Sequence, residues 1–184
     1  MIKKTLLILI LSTSLLPLKA QDFLVVTGKS VTINGNTSFG RFACDYLDDE
    51  GDTLVFEAGY VRENPVMDIV LPVHEFGCGN KMLDRDFNKT LQSEEYPYIR
   101  VKVEQFFLED GEYFSSLSLK LVGKELLMEK LPFILEESKD GETILKAEFE
   151  LNLKYFDLTP PKKFLGLLKV HEELHIKLSL ALSE

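Results

Sequence analysis

The 184-residue chain has no tryptophan, two cysteines, three histidines and fewer basic than acidic residues, 21 against 30. These shortages narrow the function. No basic stripe stands out from the acidic composition, which argues against nucleic acid and anionic membrane surfaces as partners, since both are bound chiefly through Lys and Arg. There is no Gly-x-Ser-x-Gly elbow, no glycine loop that could cradle a phosphate and no credible catalytic triad. Internal repeats and low-complexity linkers are missing too. Beyond the first twenty residues no apolar run is long enough for a spanning helix, which takes roughly 20 residues. No cofactor is implied.

The first twenty residues are expected to be removed. Lys3 and Lys4 form a positive start, Thr5 to Leu16 a twelve-residue apolar run, and Pro17-Leu18-Lys19-Ala20 a break ending in a small residue. That order is a secretory signal peptide cut between Ala20 and Gln21. Twelve apolar residues are too few for an anchor, and Gln21 offers no thiol for lipidation. The expected product is a periplasmic or secreted domain, residues 21–184. Loss of three lysines takes its formal charge from −9 to −12.

Cys44 and Cys78 are the whole cysteine inventory, and an exported chain folds where disulfides persist. An even pair makes a Cys44–Cys78 bridge the default, with two free buried thiols as the alternative.

Turn signals cut the chain at Asn34-Gly35, Asp48 to Asp52, Asn64-Pro65, Glu109-Asp110-Gly111, Ser138 to Gly141 and Pro160-Pro161. Between them apolar and polar residues alternate. Ile99, Val101 and Val103 share one side; so do Leu117, Leu119 and Leu121. The longest series is Leu145, Ala147, Phe149, Leu151 and Leu153, and Ile176, Leu178, Leu180 and Leu182 close the chain. One apolar and one charged face per strand is the pattern of antiparallel sheets wetted on one side. Strands this long predict an all-β fold, an antiparallel barrel of about eight strands, with an interior either filled or hollow enough for one apolar ligand.

One stretch breaks the period. Leu83, Phe87 and Leu91 stand four apart and share a helical face, while Asp84, Arg85, Asp86, Asn88 and Lys89 point elsewhere. Asn80 can cap the start, and Tyr96-Pro97 forces an extended exit. The spacing predicts one short helix, about Asn80 to Gln92, covering a mouth of the barrel with Cys78 fixing its start.

The remaining constellations read as surface features. His171 and His175, with Glu172 and Glu173 between, would suit a metal on a helix. However, His175 begins a strand, His171 falls in the turn before it, and no third ligand follows. His74 and Glu75 near Cys78 could suggest a Cys–His nucleophile, which a disulfide at Cys78 removes. The acidic run Asp45 to Asp52 lacks the alternating oxygens of a calcium loop. Asn36-Thr37-Ser38 and Asn88-Lys89-Thr90 fit the glycosylation sequon, which matters only on a eukaryotic secretory route.

Three blocks resemble the YceI-like family, exported polyisoprenoid-binding proteins with a lipocalin-like barrel. They are Gly35 to Cys44; Cys78-Gly79-Asn80 through Leu91 to Tyr96-Pro97-Tyr98-Ile99; and Leu119 to Gly123 through Leu131-Pro132-Phe133, Phe149 to Leu158, Pro160-Pro161 and Gly166 to Val170. With its two cysteines the chain looks like a branch common in Bacteroidetes-type bacteria. True lipocalins match less well, since their Gly-x-Trp signature needs a tryptophan. The resemblance implies a non-enzymatic binder or carrier of a polyisoprenoid or other long-chain lipid. Its expected lining is Val101, Val103, Leu117, Leu119, Leu121, Phe133, Leu135, Phe149, Leu151, Leu153, Leu178 and Leu180. Two other readings stay open: a filled barrel serving as an envelope interaction module, and an enzyme acting on a small apolar substrate. A homodimer is one assembly the sequence leaves open.

Overall fold

The computed structural model describes residues 23–48, 54–57, 67–138, 141–160, 162–163 and 168–183. The expected signal peptide, the acidic residues 49–52 and Asn64-Pro65 lie outside the described residues.

In chain order the strands are β1 (Phe23–Thr37), β2 (Gly40–Asp48), β3 (Leu54–Glu57), β4 (Met67–Pro72), β5 (Tyr98–Glu109), β6 (Glu112–Leu121), β7 (Lys124–Glu137), β8 (Thr143–Asn152), β9 (Lys162–Lys163) and β10 (Leu168–Ser183). One α-helix, α1 (Lys81–Thr90), lies between β4 and β5. Eight strands form one antiparallel sheet in the order β2-β1-β10-β8-β7-β6-β5-β4, with β3 added along β1 and β9 along β10.

The sheet curls until its two edge strands approach each other. They meet just past the end of β4, where Asp45 of β2 and Gly77 exchange two backbone hydrogen bonds of 2.9 Å. The Cys44–Cys78 disulfide crosses the seam one residue away. Register slips help the curl, one between Val103 and Gln105 in β5 and one in β7, where the three-residue step from Met128 to Leu131 faces the two-residue step from Ser115 to Leu117, since an extra residue bends a strand and increases its twist.

The concave face joins residues that the alternation assigned inward, in β5, β6 and β10, to others of β1 and β4 that it did not single out. Val31 and Ile33, Ile69 and Leu71, Val101 and Val103, Leu117 and Leu119, and Leu178 and Leu180 are all buried. The hairpin β5–β6 turns at Asp110-Gly111, both with positive φ, as the sequence indicates. The next hairpin turns at Val122-Gly123, with φ of 47° and 73°. A β-branched residue rarely adopts that conformation, so no turn signal marks it.

Two expectations are corrected here. Asn34-Gly35 is not a turn; it lies inside β1, and the chain reverses at Ser38-Phe39 instead. The glycine is there for space. A Cβ on Gly35 would stand 2.3 Å from Cζ of Phe42 and 3.0 Å from Cδ2 of Leu174. Gly35→Ala is therefore expected to push the Phe42 ring out of place and cost about 1–3 kcal/mol, read by urea denaturation. Adding Phe42→Ala should recover part of that loss; a cycle without coupling would mean that the ring contact is not why glycine sits there. Second, the strand through Leu145 ends at Asn152, and Leu153–Phe156 forms a 3-10 turn capped by the Asn152 side chain.

Candidate functional site

The helix is built as its spacing predicts. Asn80 Oδ1 accepts the backbone N–H groups of Met82 (3.1 Å) and Leu83 (3.0 Å), which satisfies two donors of the first turn. Asp84 Oδ1 accepts the N–H of Cys78 at 2.7 Å, tying the helix back to the disulfide. At the other end Gln92 takes positive φ, its N–H bonds Lys89 O and that of Ser93 bonds Asn88 O. This is the Schellman ending, usually made with glycine, which is why the C-terminus carries no sequence signal.

Leu83, Phe87 and Leu91 face the sheet. None of the ten helical residues is fully buried, whereas Leu91, just beyond them, is. Aromatic contacts continue from the helix across the seam: Phe87 to Phe76 with ring centres 5.2 Å apart, and Phe76 to Tyr46 at 5.4 Å.

Between α1 and the concave face lie two adjoining apolar chambers. The outer, about 100 Å³, is lined by residues including Phe42, both cysteines, Met82 and Leu83, with Thr37, Asp86 and Thr90 as its polar side chains. The inner, about 60 Å³, reaches Val101, Leu119 and Leu178. Ile33, Phe87, Leu91, Leu153 and Leu174 line both, so they form the wall where the chambers meet.

Of the twelve expected lining residues, Val101, Leu119, Leu121, Phe149, Leu151, Leu153 and Leu178 line the inner chamber. Val103, Leu117, Phe133 and Leu180 are buried in the surrounding core and reach neither chamber. Leu135 is not inward-packed: it is 47% exposed. Its register has the inward parity of Leu131 and Phe133, but β6 begins beside Phe133 and leaves no wall next to Leu135. Ile33, Phe42, Met82, Pro160, Val170 and Leu174 line the outer chamber and lie outside the expected set. Ile33 and Leu174 carry the strand alternation and could have been found; Phe42, Pro160 and Val170 are brought in only by the curl of the sheet.

His171 lies in β10, not in a turn, and is exposed. Cys78 is in the disulfide, which removes it as a nucleophile. Among the described residues no three His, Cys, Asp or Glu side chains converge on a point that could hold a metal. On the outer face Glu148 accepts from the Lys177 ammonium at 2.9 Å and lies 2.9 Å from His175 Nε2. Lys177 first and His175 second hold the Glu148 carboxyl below its ordinary range. A group depressed in this way favours the fold above its unfolded pKa, and that contribution is lost as pH falls through the folded midpoint. Carboxyl NMR titration should place the Glu148 midpoint below that of a free glutamate, and Lys177→Met should move it upward. An unmoved midpoint would contradict the assignment.

No family model matches the sequence, and no curated protein does. Solved structures match in shape. A polyisoprenoid binding domain from Saccharophagus degradans, implicated in plant cell wall breakdown, has a TM-score of 0.62 over 89% of this chain and 99% of its own, at 10% identity. BcnA of Burkholderia cenocepacia gives 0.56 over 85% and 96%, at 14% identity. A Campylobacter jejuni YCEI protein overlaps more loosely, with a TM-score of 0.46 over 64% of this chain and 72% of its own, at 14% identity. The likeness to the first two is one of fold alone: a strongly curled antiparallel sheet.

Proposed function

We propose that this protein is an exported, non-enzymatic binder or carrier of a polyisoprenoid or another long-chain lipid, held on the concave face beneath α1. One observation carries the reading: the space left unfilled inside the sheet is lined almost wholly by apolar side chains and lies directly under the helix. Apolar cavities stay dry and take apolar guests. Export after cleavage near Ala20 and Gln21, and the cysteine-bearing branch suggested by Cys44 and Cys78, belong to the same proposal.

Size sets the condition. Pockets for drug-sized ligands run to roughly 300–1,000 Å³, and the chambers of about 100 and 60 Å³ fall short of that. As closed, they would take one end of a chain. Taking the rest requires α1 to lift about its tether at Cys78, exposing the Leu83, Phe87 and Leu91 face to the ligand in place of the sheet. The same small volume is the specific observation in favour of the second reading, a filled barrel acting as an envelope interaction module.

Two measurements separate the readings. Gentle purification from the native host, followed by mass spectrometry of an organic extract, should recover stoichiometric lipid. Leu174→Phe, at the wall common to both chambers, should leave the fold intact and reduce uptake of a fluorescent polyprenyl probe about tenfold or more, the loss of roughly 1.4 kcal/mol of binding. No copurified lipid together with no probe uptake by the unaltered protein would reject carriage and leave the filled module.

A further inference from the structure

The cations of α1 are not scattered. Lys81, Arg85 and Lys89 stand four apart, all exposed, and none is ion-paired among the described residues. At about 100° per residue they centre roughly 160° around the helix from Leu83, Phe87 and Leu91, so the apolar face meets the sheet and the cationic face meets solvent. The helix's two carboxylates are both half-buried: Asp84 receives the Cys78 N–H, and Asp86 lines the outer chamber. Three cations thus share the outward face of a helix whose own formal charge is +1, in a chain whose formal charge is −9. Composition hides this stripe, which corrects the expectation that no basic surface exists.

Exposed apolar side chains lie at the same rim. Met82 is 49% exposed while lining the outer chamber. Phe39, 77% exposed, tips the β1–β2 hairpin between Thr37 and Phe42, which line that chamber, and Arg41 beside it is exposed. Unburied apolar groups thus stand at the mouth of an apolar cavity, and the cations lie on the helix face turned away from it.

We propose that the outer face of α1, with Phe39 and Met82 beside it, docks on an anionic lipid bilayer. Charge complementarity selects that partner: three unpaired cations along one helix face match a sheet of anionic headgroups. The exposed Phe and Met match what lies just below the headgroups, where apolar side chains of interfacial helices bury. Screening confines the opposing charge of the rest of the chain, because interactions beyond the Debye length of about 8 Å at physiological salt contribute little. Docking in this orientation sets α1, the element that covers the cavity, against the lipid source.

The test is vesicle flotation with the purified, leaderless protein. It is expected to float with phosphatidylcholine vesicles containing phosphatidylglycerol and not with phosphatidylcholine alone, and raised salt should release it. Each cation near an anionic surface is worth about fivefold, so Lys81→Gln, Arg85→Gln and Lys89→Gln together should lower partitioning about 100-fold. Phe39→Ser should lower it further, and circular dichroism should show the sheet unchanged in both variants. Equal flotation on neutral and anionic vesicles, or a triple variant that floats like the unaltered protein, overturns the proposal. So does binding to soluble polyglutamate without binding to vesicles, which would reassign the face to an acidic protein. Docking is measured here without lipid transfer, so a protein that floats but extracts nothing would retain this surface and lose the carrier reading.

Discussion

Replacing both cysteines, Cys44→Ala with Cys78→Ala, is expected to cost about 3–4 kcal/mol on the chain-entropy model for a loop of this size. The bridge spans 34 positions, and without it the unfolded chain regains the freedom that the loop had removed. For a domain of this length each kcal/mol lowers the midpoint by roughly 2–4 °C, so thermal unfolding should begin about 10 °C earlier. The loss should also be local. Cys78 lies two residues before the Asn80 cap, and the disulfide and the Asp45–Gly77 bridge together join the sheet's two edges. Amide exchange in α1 should therefore accelerate more than exchange in β6 or β8. Both cysteines are buried, at 1% and 5% exposure, so reductant alone should act slowly on the folded protein. Uniform exchange, or a midpoint unchanged by the double substitution, would show that the seam does not depend on the bridge.

Leu117→Ala should be comparably severe. Leu117 is fully buried in the middle of β6 and lines neither chamber. Deleting a buried leucine costs about 2–5 kcal/mol, because the transfer energy of the lost methyl groups adds to that of the void left behind. Guanidinium denaturation should show a lower midpoint with an unchanged slope. Uptake of the polyprenyl probe, measured well below that midpoint, should stay within about twofold of the unaltered protein, a change of roughly 0.4 kcal/mol. A large loss of uptake with little loss of stability would place Leu117 in the binding wall instead of the core.

Leu117 also shows how far the sequence could be read. Alternation puts a residue on one face of a sheet, so the inward positions of β5, β6, β8 and β10 were legible without coordinates. It cannot say which inward residues touch a cavity and which touch each other, because that depends on strands far apart in sequence. Leu135 illustrates the limit: its parity is right, but its neighbouring strand has already begun elsewhere. Gly35 illustrates another. Asn-Gly is a strong local turn signal, yet here the glycine makes room for Phe42 from the next strand, and tertiary packing overrides the local preference. The cationic stripe of α1 was legible by the same four-residue spacing that revealed its apolar face, but the acidic composition concealed it.

The sequence by itself determined the class of fold, the strand faces, the short capped helix and the one pair of cysteines available to bridge. These follow from periods of two and 3.6 residues and from side-chain chemistry, all local in the chain. The tertiary structure decided what locality cannot reach. It set how far the sheet curls and where its edges meet across Cys44 and Cys78. It also left two small chambers under α1, because the packing of a concave face is fixed by every strand at once.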